Sequence, residues 1–153
     1  MATRLILPGG LWPFTRVTDT LMMMATVLVV DDDPDMRELE SMALSFDGFD
    51  VLTAADGQEA LRVLSTEHPC VIVLDLMMPG MDGLTFLVER KKRSLGERIP
   101  VVCVSAAGRE MLSIAEALGA RDCVPKPVEL DALVACVRSH CVRKLPPDST
   151  GGA

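Results

Sequence analysis

Tyrosine is absent from this 153-residue chain, tryptophan occurs once, and aromatic residues make up only 3%. A surface built to stack on nucleic-acid bases needs more aromatic side chains than that. Positive charge is also in deficit, with 15 lysines and arginines against 22 acids and a formal charge of −7. The basic face of a general nucleic-acid binder is therefore not expected. No apolar run reaches the roughly 18 residues of a membrane span. The cysteines, Cys70, Cys103, Cys123, Cys136 and Cys141, are odd in number and no pair has C-x-x-C spacing. Three lie inside apolar runs (CVIVL, VVCVS, DCVP). The five are read as buried free thiols of a reducing cytosol, ahead of zinc binding or redox catalysis.

What remains is ordinary in the way a compact domain is ordinary. Hydrophobic residues are 49% and charged residues 24%, which suits one domain and argues against wholesale disorder. Residues 1–24 show neither helical nor strand periodicity and hold two prolines and the single Trp12. Their apolar stretch Leu5–Leu7 stops at Pro8-Gly9-Gly10, too short for a secretion signal. They are expected to be a disordered extension, and Met22, Met23 and Met24 are candidate start codons. Residues 146–153 read as a disordered tail. The expected domain is 25–145, with no output domain after it.

Within 25–145, strand and helix signals alternate. Ala25–Val30 is a Val-rich run ending in Asp31-Asp32-Asp33. Pro34 suits a first helical turn and Asp33 a cap. Met36, Leu39, Ala43 and Phe46 fall on one helix face, closed by Asp47-Gly48. Phe49–Ala54 is a second strand, and Asp56 caps a helix carrying Ala60, Leu61 and Leu64. Cys70–Leu76 is a third strand, apolar on both faces as in a covered parallel sheet. A turn, Pro79-Gly80-Met81-Asp82-Gly83, leads to a helix marked by Leu84, Leu87 and Val88. Ile99–Ser105 is a fourth strand. Met111, Leu112, Ala115 and Leu118 mark a fourth helix stopped by Gly119. Asp122–Pro125 is a fifth strand, and Leu130, Leu133, Val134, Val137 and Cys141 mark a fifth helix. Five such units predict an α/β fold: a doubly wound, five-stranded parallel sheet with five helices.

Open sheets of this kind carry their sites at the carboxyl ends of the strands. There the sequence places Asp31 and Asp32, then Asp75, Ser105 and Lys126. Singly, each has a plainer reading: a capping run, a turn serine, a solvated lysine. Asp75 resists it, because an ionised carboxylate inside CVIVLDL is costly without a purpose. Clustered carboxylates repel unless a cation joins them, and oxygen ligands suit Mg²⁺. An aspartate beside a divalent cation, a lysine and a hydroxyl can accept a phosphoryl group.

VLVVDDDPDMREL, VIVLDLMMPGMDG, VVCVSA and VPKP resemble the receiver domain of two-component response regulators, with its flavodoxin-like fold. The resemblance covers about residues 25–143. The steps from Asp32 to Asp75, Ser105 and Lys126 are 43, 30 and 21 residues, which fit that layout. The resemblance implies that Asp75 is the phosphoacceptor, attacking a phosphohistidine on a sensor histidine kinase or histidine phosphotransfer protein. It implies that Asp32, Asp75 and the backbone carbonyl of Met77 hold Mg²⁺ directly, and Asp31 through water. It makes Lys126 a phosphoryl contact with a cis bond to Pro127, and Ser105 the switch hydroxyl. The expectation is a cytoplasmic, stand-alone receiver of the chemotaxis type in a phosphorelay, not an enzyme beyond its own phosphoryl transfer and autodephosphorylation. It signals by contact with a downstream protein, without nucleic acid or membrane.

Two positions depart from the family pattern. Cys123 stands where a rotating Tyr or Phe is common, and Val128 follows the K-P where Phe is frequent. The alternatives weighed are a pseudo-receiver that is never phosphorylated and an aspartate-nucleophile phosphatase. The latter typically carries a second Asp where this chain has Met77. Glu89-Arg90-Lys91-Lys92-Arg93 is read as a solvated helix end, ahead of a docking patch. His68 and His140 are read as surface or helix residues.

Overall fold

The computed structural model describes residues 25–142, so the expectations for 1–24 and 146–153 lie outside it. Five strands, β1 (Thr26–Val30), β2 (Asp50–Ala54), β3 (Val71–Asp75), β4 (Val101–Ser105) and β5 (Ala120–Pro125), form one parallel sheet in the order β2-β1-β3-β4-β5. Five helices alternate with them: α1 (Pro34–Phe46), α2 (Gly57–Thr66), α3 (Gly83–Lys92), α4 (Arg109–Ala117) and α5 (Leu130–Val142). The doubly wound α/β fold with five parallel strands and five helices is thus observed. Strand order reverses between β1 and β3, which opens a crevice at their carboxyl ends.

β1, β3 and β4 are buried on both faces, so they read as unbroken apolar runs. Leu28, Val30, Ile72, Leu74, Val101 and Cys103 face α2, α3 and α4. Val27, Val29, Val71, Val73, Val102 and Val104 face α1 and α5. The helix starts follow the caps read from the sequence. Asp33 accepts from the Asp35 amide at 3.0 Å. Asp56 accepts from the Glu59 amide at 2.8 Å while Glu59 accepts from the Ala55 amide at 2.9 Å, a reciprocal cap.

The buried face of α1 differs from expectation. Glu40 and Leu44 point inward, whereas Leu39, Met42 and Phe46 are exposed, Phe46 almost completely at 97%. Leu44 is the apolar residue at the centre of this seam, and Glu40, one turn before it, takes the position that an apolar side chain would otherwise fill. In the basic cluster of α3, Lys91, Lys92 and Arg93 are exposed, as read for a solvated helix end, and one member differs. Arg90 is buried, and its guanidinium donates to the carbonyls of Ile99 at 3.0 Å and Gly96 at 3.3 Å, fastening the loop before β4.

The cysteine reading is corrected as well. Cys70, at the entry to β3, and Cys141, in the last turn of α5, form a disulfide with Cα atoms 5.4 Å apart. The two lie 71 residues apart in sequence and meet only because α5 packs across the sheet. Cys103, Cys123 and Cys136 are free.

Candidate functional site

The three strand-end aspartates converge. One carboxylate oxygen each from Asp31, Asp32 and Asp75 lies within 4.8 Å of the other two. Asp31 and Asp75 are buried, while Asp32 is partly exposed at the mouth of the crevice. Local turns aim each group. Asp31 Oδ1 accepts from the Asp33 amide at 2.9 Å, and the Arg37 guanidinium on α1 donates to the Asp31 carbonyl at 2.8 Å. Asp75 Oδ1 accepts from the Met77 amide at 3.0 Å.

The loop after β3 is held tight against the strand end by Gly83. A Cβ there would lie 2.6 Å from the Asp75 carbonyl oxygen and from the Leu76 Cα, so only glycine lets α3 start so close. The Gly83 amide donates to the Leu76 carbonyl at 3.1 Å, and Asp82 caps the helix through the Thr85 amide at 2.8 Å.

Lys126 enters from β5, with its amide bonded to the Ser105 carbonyl at 3.1 Å and a cis bond to Pro127. Its ammonium donates to Asp75 Oδ2 at 3.0 Å and stands 4.0 Å from Asp31 Oδ2. Burial draws the lysine pKa down, but the hydrogen bond and charge of Asp75 outweigh it and the net shift is upward. The lysine is charged at neutral pH. Ser105 is buried, and its hydroxyl oxygen accepts from the Ala107 amide at 3.0 Å. The hydroxyl proton is left to donate elsewhere.

Burial is also the main influence on Asp31, whose pKa is raised, with the Asp75 charge adding to it. Oδ2 of Asp31 is buried without a hydrogen-bond partner. Two buried carboxylates, a third at the mouth and an orphaned oxygen form an all-oxygen donor set that fits a small hard dication.

Asp31, Asp32, Asp75, Ser105 and Lys126 thus share one edge. The structure adds a member the sequence reading missed. Glu40, on the inward face of α1, is 1% exposed and its Oε1 has no hydrogen-bond partner. Burial, and after it the negative charge of Asp31, raise its pKa from 4.5 to about 7. Its only sequence signal was an acid in the middle of an otherwise amphipathic helix.

Cys123 is partly buried against the α2–α4 side of the core, opposite Cys103 in the β4–β5 register. His68 is exposed as expected. His140 is a helix residue, as that reading allows, but it does not lie on the surface. It is buried, and its Nε2 lies 2.8 Å from Asp122 Oδ2, because α5 turns this face onto β5.

Residues 27–138 match the family model of the response regulator receiver domain. Response regulator MprA of Mycolicibacterium vanbaalenii is 40% identical over 130 residues, which is 84% of this chain and 55% of that protein. MprA of Mycobacterium tuberculosis H37Rv is 39% identical over 128 residues, 83% of this chain and 55% of that one. The chain spans about half the length of the curated relatives it matches. Among solved structures, the receiver domain of Francisella response regulator 1452 is similar at a TM-score of 0.72 and 32% identity, covering 78% of this chain and 98% of that one. Chemotaxis response regulator CheY4 of Vibrio cholerae is similar at a TM-score of 0.71 and 31% identity, covering 76% and 98%.

Proposed function

This chain belongs to the response regulator receiver domain family, and on that premise we propose that Asp75 accepts a phosphoryl group from the phosphohistidine of a sensor histidine kinase or a histidine phosphotransfer protein. The observation that carries the proposal is the pairing of Asp75 with Lys126 at 3.0 Å, beside two further carboxylates on the same crevice. An Asp75 carboxylate oxygen attacks phosphorus. The P–O bond of an acyl phosphate forms as the P–N bond breaks, and the electron pair returns to the partner's imidazole, which takes a proton from solvent. Lys126 follows the charge from the carboxylate onto the phosphoryl oxygens. Ser105 donates its free hydroxyl proton to one of them, which draws the loop after β4 toward the site.

Asp32, Asp75 and the Met77 carbonyl would hold Mg²⁺ directly and Asp31 through water, and the ion would supply positive charge against the phosphoryl oxygens. Residues 25–145 form the signalling domain, which acts by protein contact in the cytoplasm, not by turnover of a substrate. Among the described residues no helix is long and apolar enough to cross a membrane.

The test is intact-mass spectrometry after incubation with acetyl phosphate. A gain of one phosphoryl group that requires Mg²⁺ and disappears with EDTA is expected. An unchanged mass in Mg²⁺, with the domain folded by circular dichroism, contradicts the proposal.

A further inference from the structure

Among the described residues, a cluster of chemically versatile side chains lies outside the carboxyl-edge site, where β5 meets α5. Cys136 and His140 are four residues apart on α5 and so share one helix face. Asp122 comes from β5. One ligand atom from each, a thiol sulfur, an imidazole nitrogen and a carboxylate oxygen, lies within 4.8 Å of the other two. The approach depends on an irregularity in the sheet. Val101 pairs with Ala120 but Val102 pairs with Asp122, so Arg121 is an extra residue in β5. The bulge rephases the strand, placing Asp122 on the same face as Val124 and the α5 side of the core.

We propose that Asp122, Cys136 and His140 form a zinc site that fastens β5 to α5. Sulfur, nitrogen and oxygen together suit a borderline-soft dication, and Zn²⁺ accepts all three in tetrahedral geometry. The all-oxygen crevice on the strand ends suits Mg²⁺ instead, so the two sites select different metals. The existing contacts are close to what coordination needs. Asp122 Oδ2 and His140 Nε2 stand 2.8 Å apart, a hydrogen bond that the metal would replace: the proton between them leaves to solvent or moves to Nδ1, and each atom then has a lone pair for zinc. His140 is buried and Cys136 half-buried, while the Asp122 side chain is 54% exposed, which leaves an entry path for the ion. On binding, the Cys136 S–H bond breaks, its proton leaves to solvent and the thiolate sulfur bonds to zinc. Lys126 follows Asp122 by four residues, so the metal would brace the strand that delivers the lysine.

Co²⁺ titration of the full chain, carried out anaerobically without reductant so that Cys70–Cys141 stays paired, tests this directly. Excess Mg²⁺ keeps the acidic crevice occupied. One equivalent of Co²⁺ should produce a thiolate-to-cobalt charge-transfer band with tetrahedral ligand-field absorption, and Zn²⁺ should displace it. Cys136→Ser should abolish the band. Asp122→Asn, on an exposed side chain, should weaken affinity about tenfold or more, while acetyl phosphate labelling persists in both variants. Absence of the band at micromolar Co²⁺, or a band that survives Cys136→Ser, would show that the three residues make only an ion pair and a thiol contact.

Discussion

Lys126 Nζ lies 3.0 Å from Asp75 Oδ2 although 51 residues separate the two in sequence. If Asp75 accepts a phosphoryl group as proposed, this pairing sets the ammonium beside the developing charge in advance. Lys126→Ala should therefore slow labelling by acetyl phosphate about 10²–10³-fold, the usual effect of removing one preorganised donor. The same variant should bind Mg²⁺ more tightly, because a positive charge leaves the ligand cluster. A labelling time course and calorimetry check the two halves. Labelling within twofold of the unaltered chain contradicts the role of the lysine.

Glu40 predicts a pH dependence of stability. Its folded pKa, about 7, is raised above the ordinary 4.5. The folded state therefore binds a proton that the unfolded chain has released between those values. The stabilisation is fully present below about pH 4.5 and is lost as pH rises through about 7. Glu40→Gln keeps the shape and never ionises. It should come close to the unaltered chain near pH 4.5 and exceed it at pH 8 by roughly 3 kcal/mol. Urea unfolding at both pH values, without divalent cations, measures this. A variant less stable at pH 8 means that the ionised Glu40 has a partner.

Chain alternation and the strand-end chemistry were both legible in the sequence, for a physical reason. A parallel sheet covered on both faces makes its strands continuous apolar runs, so polar residues at their ends, Asp31, Asp75, Ser105 and Lys126, stand out. Side-chain facing inside α1 was not legible. Hydropathy puts Leu39 and Phe46 on the inner face, but the seam is formed by Glu40 and Leu44, and Leu39 and Phe46 face outward. Arg90 was hidden in the same way, since a run of four basic residues looks solvated until the loop that needs the guanidinium is placed. The Asp122–His140 contact was hidden because it depends on the bulge at Arg121, which a local pattern does not show.

The Cys70–Cys141 pairing has its own signature. Protein prepared in air without reductant and then denatured should expose three reactive thiols, from Cys103, Cys123 and Cys136, and five after reduction. Closing a loop of 71 residues restricts the unfolded chain by about 4 kcal/mol in the chain-entropy account. Reduction should therefore lower the urea midpoint markedly. Five thiols in the unreduced protein would mean that the pair does not form.

Mapping the label to a residue decides whether Asp75 is the phosphoacceptor. The chain and its Asp75→Asn variant are incubated with Mg²⁺ and phosphoramidate, whose P–N bond stands in for phosphohistidine. Borohydride then reduces any acyl phosphate to the alcohol, and peptide mass spectrometry locates it. Homoserine at position 75 in the unaltered chain and an unlabelled variant that remains folded are expected. Label retained by the variant at the original yield, or mapped to Asp31 or Asp32 in the unaltered chain, would contradict that role.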